Sequence, residues 1–172
     1  MGRDKSRLRL GRRTLAGFLQ RTCRAAGLVT RVIRKDDVPR CGPLGGIITA
    51  LRRTSHAGVL FLSCDMPFLQ AGLLLRFLEA AQTHRGARAV FATDESGVGF
   101  PFLIWQSQLS TVEGQRLRGT FSLQALAAEL RARRLRLPAS LQAQRFNVNT
   151  PADWEEARRR FAALVPPEGP RR

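Results

Sequence analysis

"VLFLSCDMPFL", Val59 to Leu69, is the stretch on which the fold turns. Val59 to Ser63 is a continuous run of β-forming residues, not an alternating one. That pattern predicts a strand buried on both faces, as in a parallel sheet covered by helices. The run stops at Cys64 and Asp65, and Pro67 stiffens the exit. Open α/β sheets bind ligands beyond the carboxyl ends of their strands. Asp65 therefore stands where such a sheet keeps its chemistry. A carboxylate there is suited to a divalent cation, because Mg²⁺ takes oxygen ligands and often uses one or two protein carboxylates plus phosphate oxygens. The plainer alternative is that Asp65 or Ser63 only ends the strand and starts a turn.

Outward from this stretch, strand and helix patterns alternate. Thr14 is a candidate cap for a helix carrying Leu15, Phe18, Leu19, Cys23 and Ala26, with Gly27 as its stop. A β-like pair with a turn at Gly11 precedes it. Leu28 to Ile33 reads as a short strand. Residues 34–46 read as a loop leading into a helix through Ile47, Ile48, Ala50 and Leu51. Leu73, Leu74, Phe77, Leu78 and Ala81 recur at helical spacing. Arg88 to Thr93 and Phe100 to Trp105 read as strands, and Leu135 to Leu137 is β-like. Ser122 caps a helix with Leu123, Leu126, Ala127 and Leu130. The last helix has Thr150 as N-cap, Pro151 at its first position and Asp153 placed to complete a capping box. This order predicts one α/β domain of three layers with a mostly parallel sheet over residues 1–165, followed by a loose tail at 166–172.

Composition narrows the function. The 172 residues suit one domain, and 44% are hydrophobic, which excludes disorder throughout. No apolar run approaches the roughly 20 residues of a membrane span, and no signal peptide is visible, so the cytoplasm is the expected compartment. The net charge is +16, but it is almost all arginine and scattered from end to end. Sequence-specific nucleic-acid binding is therefore not expected, although "RARRLRLP", with Arg131, Arg133, Arg134 and Arg136, is locally rich in charge. It has no interleaved aromatic platform and reads as a solvated helix end. Cys23, Cys41 and Cys64 make no CxxC pair, which argues against a disulfide framework or structural zinc. His56 and His84 read as surface residues.

Three further segments carry chemistry. "GPLGGIITAL", Gly42 to Leu51, is a glycine-rich turn entering a helix; its N–H groups suit a phosphate or a nucleobase edge, or the glycines serve tight packing alone. It is not a Walker A motif, because no Gly-Lys-Ser/Thr follows. "MGRDKSRL" places Lys5 as a mobile cation suited to triphosphate oxygens, or as an ordinary charged terminus. "FNVNTPADW" offers Asn147 and Asn149, which order a metal-proximal loop or a substrate, or simply serve turn and cap chemistry.

Taken in order, "MGRDKSRL", "CGPLGGI", "SCDMPFL" and "FNVNTPADW" resemble the MobA-type nucleotidyltransferases, which include molybdenum cofactor guanylyltransferase. The resemblance implies a Rossmann-like fold and a nucleotidyltransferase using Mg²⁺ and GTP, with CTP in close relatives. Molybdopterin is the implied acceptor and pyrophosphate the product. It implies that Lys5 contacts nucleotide phosphates and Asp65 holds Mg²⁺. Gly42, Leu44 and Gly45 would line the nucleotide site, with Asp36 matching an acidic residue upstream. Asn147 and Asn149 would stand near the metal or the acceptor phosphate. The family signature normally opens with a β-strand and a Leu-Ala-Gly-Gly turn, whereas this sequence begins at the following Met-Gly. The resemblance thus predicts an N-terminally truncated domain, from a misassigned start site or genuine loss. "GFPFLIW" also lacks the His-Pro often seen where the acceptor approaches. Loss of a central strand would expose sheet edges, so self-association or a protein partner is the expected compensation in a catalytically degenerate form.

Overall fold

A computed structural model describes residues 8–83 and 86–164. Lys5, His84 and the tail at 166–172 lie outside the described residues. The chain opens with a small antiparallel pair, β1 (Arg9–Leu10) and β2 (Arg13–Thr14), turning at Gly11. Helix α1 (Leu15–Ala25) starts where expected, because the Thr14 hydroxyl accepts from the Gly17 N–H at 3.0 Å. It ends before Gly27, whose φ of 71° is one that glycine adopts without strain. Then come α2 (Pro43–Arg53), β3 (Gly58–Phe61), α3 (Ala71–Gln82), β4 (Ala89–Asp94) and β5 (Gly97–Trp105). They are followed by α4 (Leu109–Leu117), α5 (Leu123–Glu129), β6 (Arg133–Arg136), α6 (Ala139–Gln142) and α7 (Pro151–Leu164).

The main sheet has strand order β3-β5-β4-β6. β4 and β6 are parallel, and β5 runs antiparallel to both β3 and β4. Three of the four strands therefore share one direction, with β5 opposed between two of them. Side chains alternate across the sheet. Phe91, Phe102 and Ile104 face Leu44, Ile47, Ile48 and Leu51 of α2, Val112 of α4 and Leu126 of α5. Val90, Ala92 and Leu103 face Leu19 and Cys23 of α1 and Leu73, Leu74 and Phe77 of α3. This is the expected three-layer arrangement. A third cluster of Leu10, Leu15, Val148 and Ala157 joins the β1–β2 pair and α1 to α7.

Several elements differ from the sequence reading. β3 is half-buried at every position instead of fully buried, because among the described residues it pairs with β5 alone and forms an edge of the sheet. Leu28 to Ile33 forms no strand: no described strand pairs with it, and Val29 is 90% exposed. Helix α2 begins at Pro43, so Gly45 and Gly46 lie in its first turn and not in a loop. β6 starts two residues before the Leu135 to Leu137 estimate, because Arg133 and Arg134 pair with Val90 and Phe91. Helix α4 had no sequence signal, since only Val112 and Gln115 of its nine residues are buried.

Phe102 is fully buried and its ring stacks on Phe91 at 4.6 Å and on Phe61 at 4.9 Å. It ties three strands together. Phe102→Ala is expected to lower the unfolding free energy by about 3–5 kcal/mol. Urea unfolding should show a lower midpoint with an unchanged slope.

Candidate functional site

After β3 the chain enters a turn in which the Met66 N–H donates to the Ser63 carbonyl at 3.3 Å. Met66, Pro67 and Leu69 are buried, so the turn is nailed into the core below it. Asp65 sits in this turn, four residues past the end of β3 and at the carboxyl end of the sheet. Its carbonyl accepts from the Val148 N–H at 2.9 Å. Its side-chain Oδ1 is buried and has no hydrogen-bond partner. Among the described residues Gln115 Oε1 and Arg116 Nε are in the same condition, but the Asp65 oxygen is the one at the carboxyl end of the sheet, where it suits an ordered water or a cation.

Val148 is fully buried, while its neighbours Asn147 and Asn149 are exposed. The Val148–Asp65 bond thus brings the asparagine segment beside the Asp65 turn. Two further anchors hold that segment. On its far side, Asp153 accepts from the N–H groups of Asn149 at 2.9 Å and Thr150 at 2.7 Å, and the Thr150 hydroxyl accepts from the Asp153 N–H at 3.1 Å. This is the expected capping box, made on α7. On its near side is Arg145, which the sequence reading missed. Its Nε donates to the Phe100 carbonyl at 2.7 Å and its Nη1 to Asp94 Oδ2 at 2.7 Å. The Arg145 side chain is 10% exposed. A Cβ on Gly99 would lie 2.9 Å from Arg145 Nη2, so glycine leaves room for the guanidinium. Asp94 also accepts from the Ser96 N–H at 2.9 Å and hydroxyl at 2.5 Å. The Ser96 hydroxyl bond, with help from the Arg145 charge, holds the Asp94 carboxyl below its ordinary range. One signal was available for Asp94: it ends a strand parallel to β3, as Asp65 follows one.

The glycine-rich segment forms a second group, on α2. Gly42 has φ 53° and Pro43 follows at the first helical position. Asp36 lies against the first turn of α2, where a Cβ on Gly45 would be 2.5 Å from Asp36 Oδ2 and 2.8 Å from the Val38 carbonyl. The structure therefore brings Asp36 and Gly45 together and gives Gly45 a packing reason to be glycine. The Asp37 N–H donates to the Thr49 hydroxyl at 2.8 Å, and Asp37 pairs with Arg53, which fixes this loop on the helix. The Leu44 side chain is fully buried in the core, so only its main chain is available to line a site. Cys64 packs partly buried against the α3 side of the core, and no disulfide joins the three cysteines. His56 is exposed, as expected.

Among the described residues, no group of three or more His, Cys, Asp or Glu residues is placed to hold a metal. A cation at Asp65 would need oxygen ligands from elsewhere, as Mg²⁺ takes from nucleotide phosphates. No described helix is long and apolar enough to cross a membrane.

Residues 1–136 match the family model of the MobA-like NTP transferase domain. The chain is also 32% identical to a probable molybdenum cofactor guanylyltransferase of Opitutus terrae, over 94% of this chain and 90% of that one. The chain belongs to the MobA-like NTP transferase family. Its class is that of nucleotidyltransferases resembling the molybdenum cofactor guanylyltransferases. The fold agrees. Molybdopterin-guanine dinucleotide biosynthesis protein A of Archaeoglobus fulgidus superposes with a TM-score of 0.72 at 16% identity, covering 94% of this chain and 92% of that one. A Mycobacterium tuberculosis protein solved in complex with manganese superposes with a TM-score of 0.62 at 18% identity, covering 90% and 91%.

The lowered Asp94 carboxyl makes a pH prediction. Stability from this group is present above the unfolded carboxylate range and is lost as pH falls through the lowered folded value. Asp94→Asn is therefore expected to lose less stability than the parent between about pH 6 and about pH 3. Urea unfolding at a series of pH values checks this; parallel curves for the two proteins would count against the Asp94–Arg145 tie.

Proposed function

We propose that this chain transfers GMP from GTP to the terminal phosphate of molybdopterin and releases pyrophosphate. The observation that carries this reading is the buried, unpartnered Oδ1 of Asp65 beside the Asn147–Asn149 segment. The names of the relatives supply the substrates. An acceptor phosphate oxygen attacks the α-phosphorus of the nucleotide, and the bond to the pyrophosphate oxygen breaks in line. An ionised phosphate needs no general base, so no side-chain nucleophile or base is assigned.

In this reading Asp65 holds Mg²⁺, which neutralises phosphate charge when bound. The manganese complex of the structural neighbour supports a divalent ion. Asn147 and Asn149 orient the acceptor phosphate or ligands of the ion, through donors and acceptors that Arg145 and the α7 cap hold in place. Asp36 and the main chain of Gly42, Leu44 and Gly45 form the nucleotide side of the site, and Lys5 contacts phosphate oxygens. Choice of GTP over CTP depends on base contacts, so both belong in the test.

Pyrophosphate release is measured with molybdopterin as acceptor, with GTP or CTP, and with or without Mg²⁺. GTP is expected to be the better donor. Asp65→Asn is expected to reduce Mg²⁺-dependent release about 100-fold, equivalent to about 2.7 kcal/mol in the barrier. Asn147→Ala is expected to reduce it about tenfold. A folded parent that neither binds nor turns over either nucleotide would overturn the reading. It would favour a binding protein that recruits a partner to the half-exposed β3 edge.

A further inference from the structure

The arginine-rich segment after α5 has a use that nucleotidyl transfer does not absorb. It is not the solvated helix end that its sequence predicts. Arg133 to Arg136 form β6, which pairs with β4 on one side and has no described strand on the other. Arg133 and Arg134 are exposed, and neither makes an ion pair among the described residues. With Arg131 they line an open cleft completed by Thr83, Gly86 and Ala87. The cleft lies where β4 and β6 begin, so it sits at the opposite end of the sheet from Asp65. Arg131 follows the C-cap residue Leu130 of α5 and has φ 48°, a left-handed conformation that favours glycine or asparagine.

We propose that β6 and this cleft dock an extended, acidic polypeptide segment of a partner protein, which adds to the sheet as a strand beyond β6. Two features select this occupant. The outer edge of β6 presents backbone N–H and C=O groups that only another polypeptide strand complements residue for residue. Successive residues of a strand point to opposite faces, so Arg133 and Arg134 straddle the edge. A strand carrying carboxylates on both faces meets both guanidiniums. A nucleic-acid phosphate track follows one face, and no aromatic residue lines this cleft for base stacking. Arg136 is already engaged, at 3.7 Å from Glu95, and marks the far end of the docking edge.

The probe is a fluorescent octapeptide, Glu-Glu-Val-Val repeated twice, which as a strand carries carboxylates on both faces; it is titrated with the full chain at physiological salt. Arg133→Glu/Arg134→Glu is expected to weaken binding about tenfold or more, the combined worth of two partly exposed charge pairs. Arg21→Glu/Arg24→Glu on α1 makes the same change in net charge and is expected to change binding less than twofold. Replacing the valines by proline, which removes N–H donors, is expected to abolish binding. Asp65→Asn should leave it intact, so this result stands apart from the nucleotidyl-transfer reading. Arg133→Gln/Arg134→Gln provides the same test with less disturbance should charge reversal unfold β6. Equal weakening by the β6 and α1 variants would overturn the proposal in favour of diffuse attraction. So would unchanged binding of the proline peptide, absence of peptide binding, or tighter β6-dependent binding of an oligothymidine.

Discussion

The antiparallel insertion of β5 between β3 and β4 is the constraint on which the rest of the molecule rests. β3 and β4 do not pair with each other; both are laddered to β5. Because β5 opposes both, they share a direction and their carboxyl ends fall on the same side of the sheet. That is why Asp65 and Asp94, from separate parts of the chain, belong to one end of the fold. The stacked rings of Phe61, Phe102 and Phe91 cross the same three strands and reinforce this order.

The site is built by tying a loop to that end. The Asn147–Asn149 segment has no regular structure of its own. It is held by the Val148 bond to the Asp65 carbonyl, by Arg145 gripping Phe100 and Asp94, and by the α7 cap. Backbone and charged groups next to a core must find partners, and these three ties supply them. At this end of the sheet the buried Oδ1 of Asp65 has no hydrogen-bond partner among the described residues.

The excess positive charge is also distributed by the fold. On α7, Arg158, Arg159 and Arg160 are balanced locally by Glu155 and Glu156, and Arg160 also covers the Phe146 ring at 4.2 Å. On β6 no described carboxylate pairs with Arg133 or Arg134. A net charge of +16 alone could not separate these cases. The difference arises from which arginines the fold places beside carboxylates.

The sequence by itself determined features whose causes lie within a few residues. The caps at Thr14, Ser122 and Thr150, the turn at Gly11 and the helical periods of α1 and α3 are of this kind. The placement of Asp65 past a strand end was legible for the same reason. The four family-like segments added the fold and the class. Only the tertiary structure decided that β3 is an edge among the described strands, that Leu28 to Ile33 pairs with none of them and that Arg133–Arg136 of "RARRLRLP" form a strand. It alone showed that Gly45 yields to Asp36 and that Arg145 meets Asp94. The physical reason is common to all of them. A cap or a helical face carries its partner nearby in the chain, whereas a strand or a buried ion pair is settled by partners far away, whose position only the assembled sheet fixes.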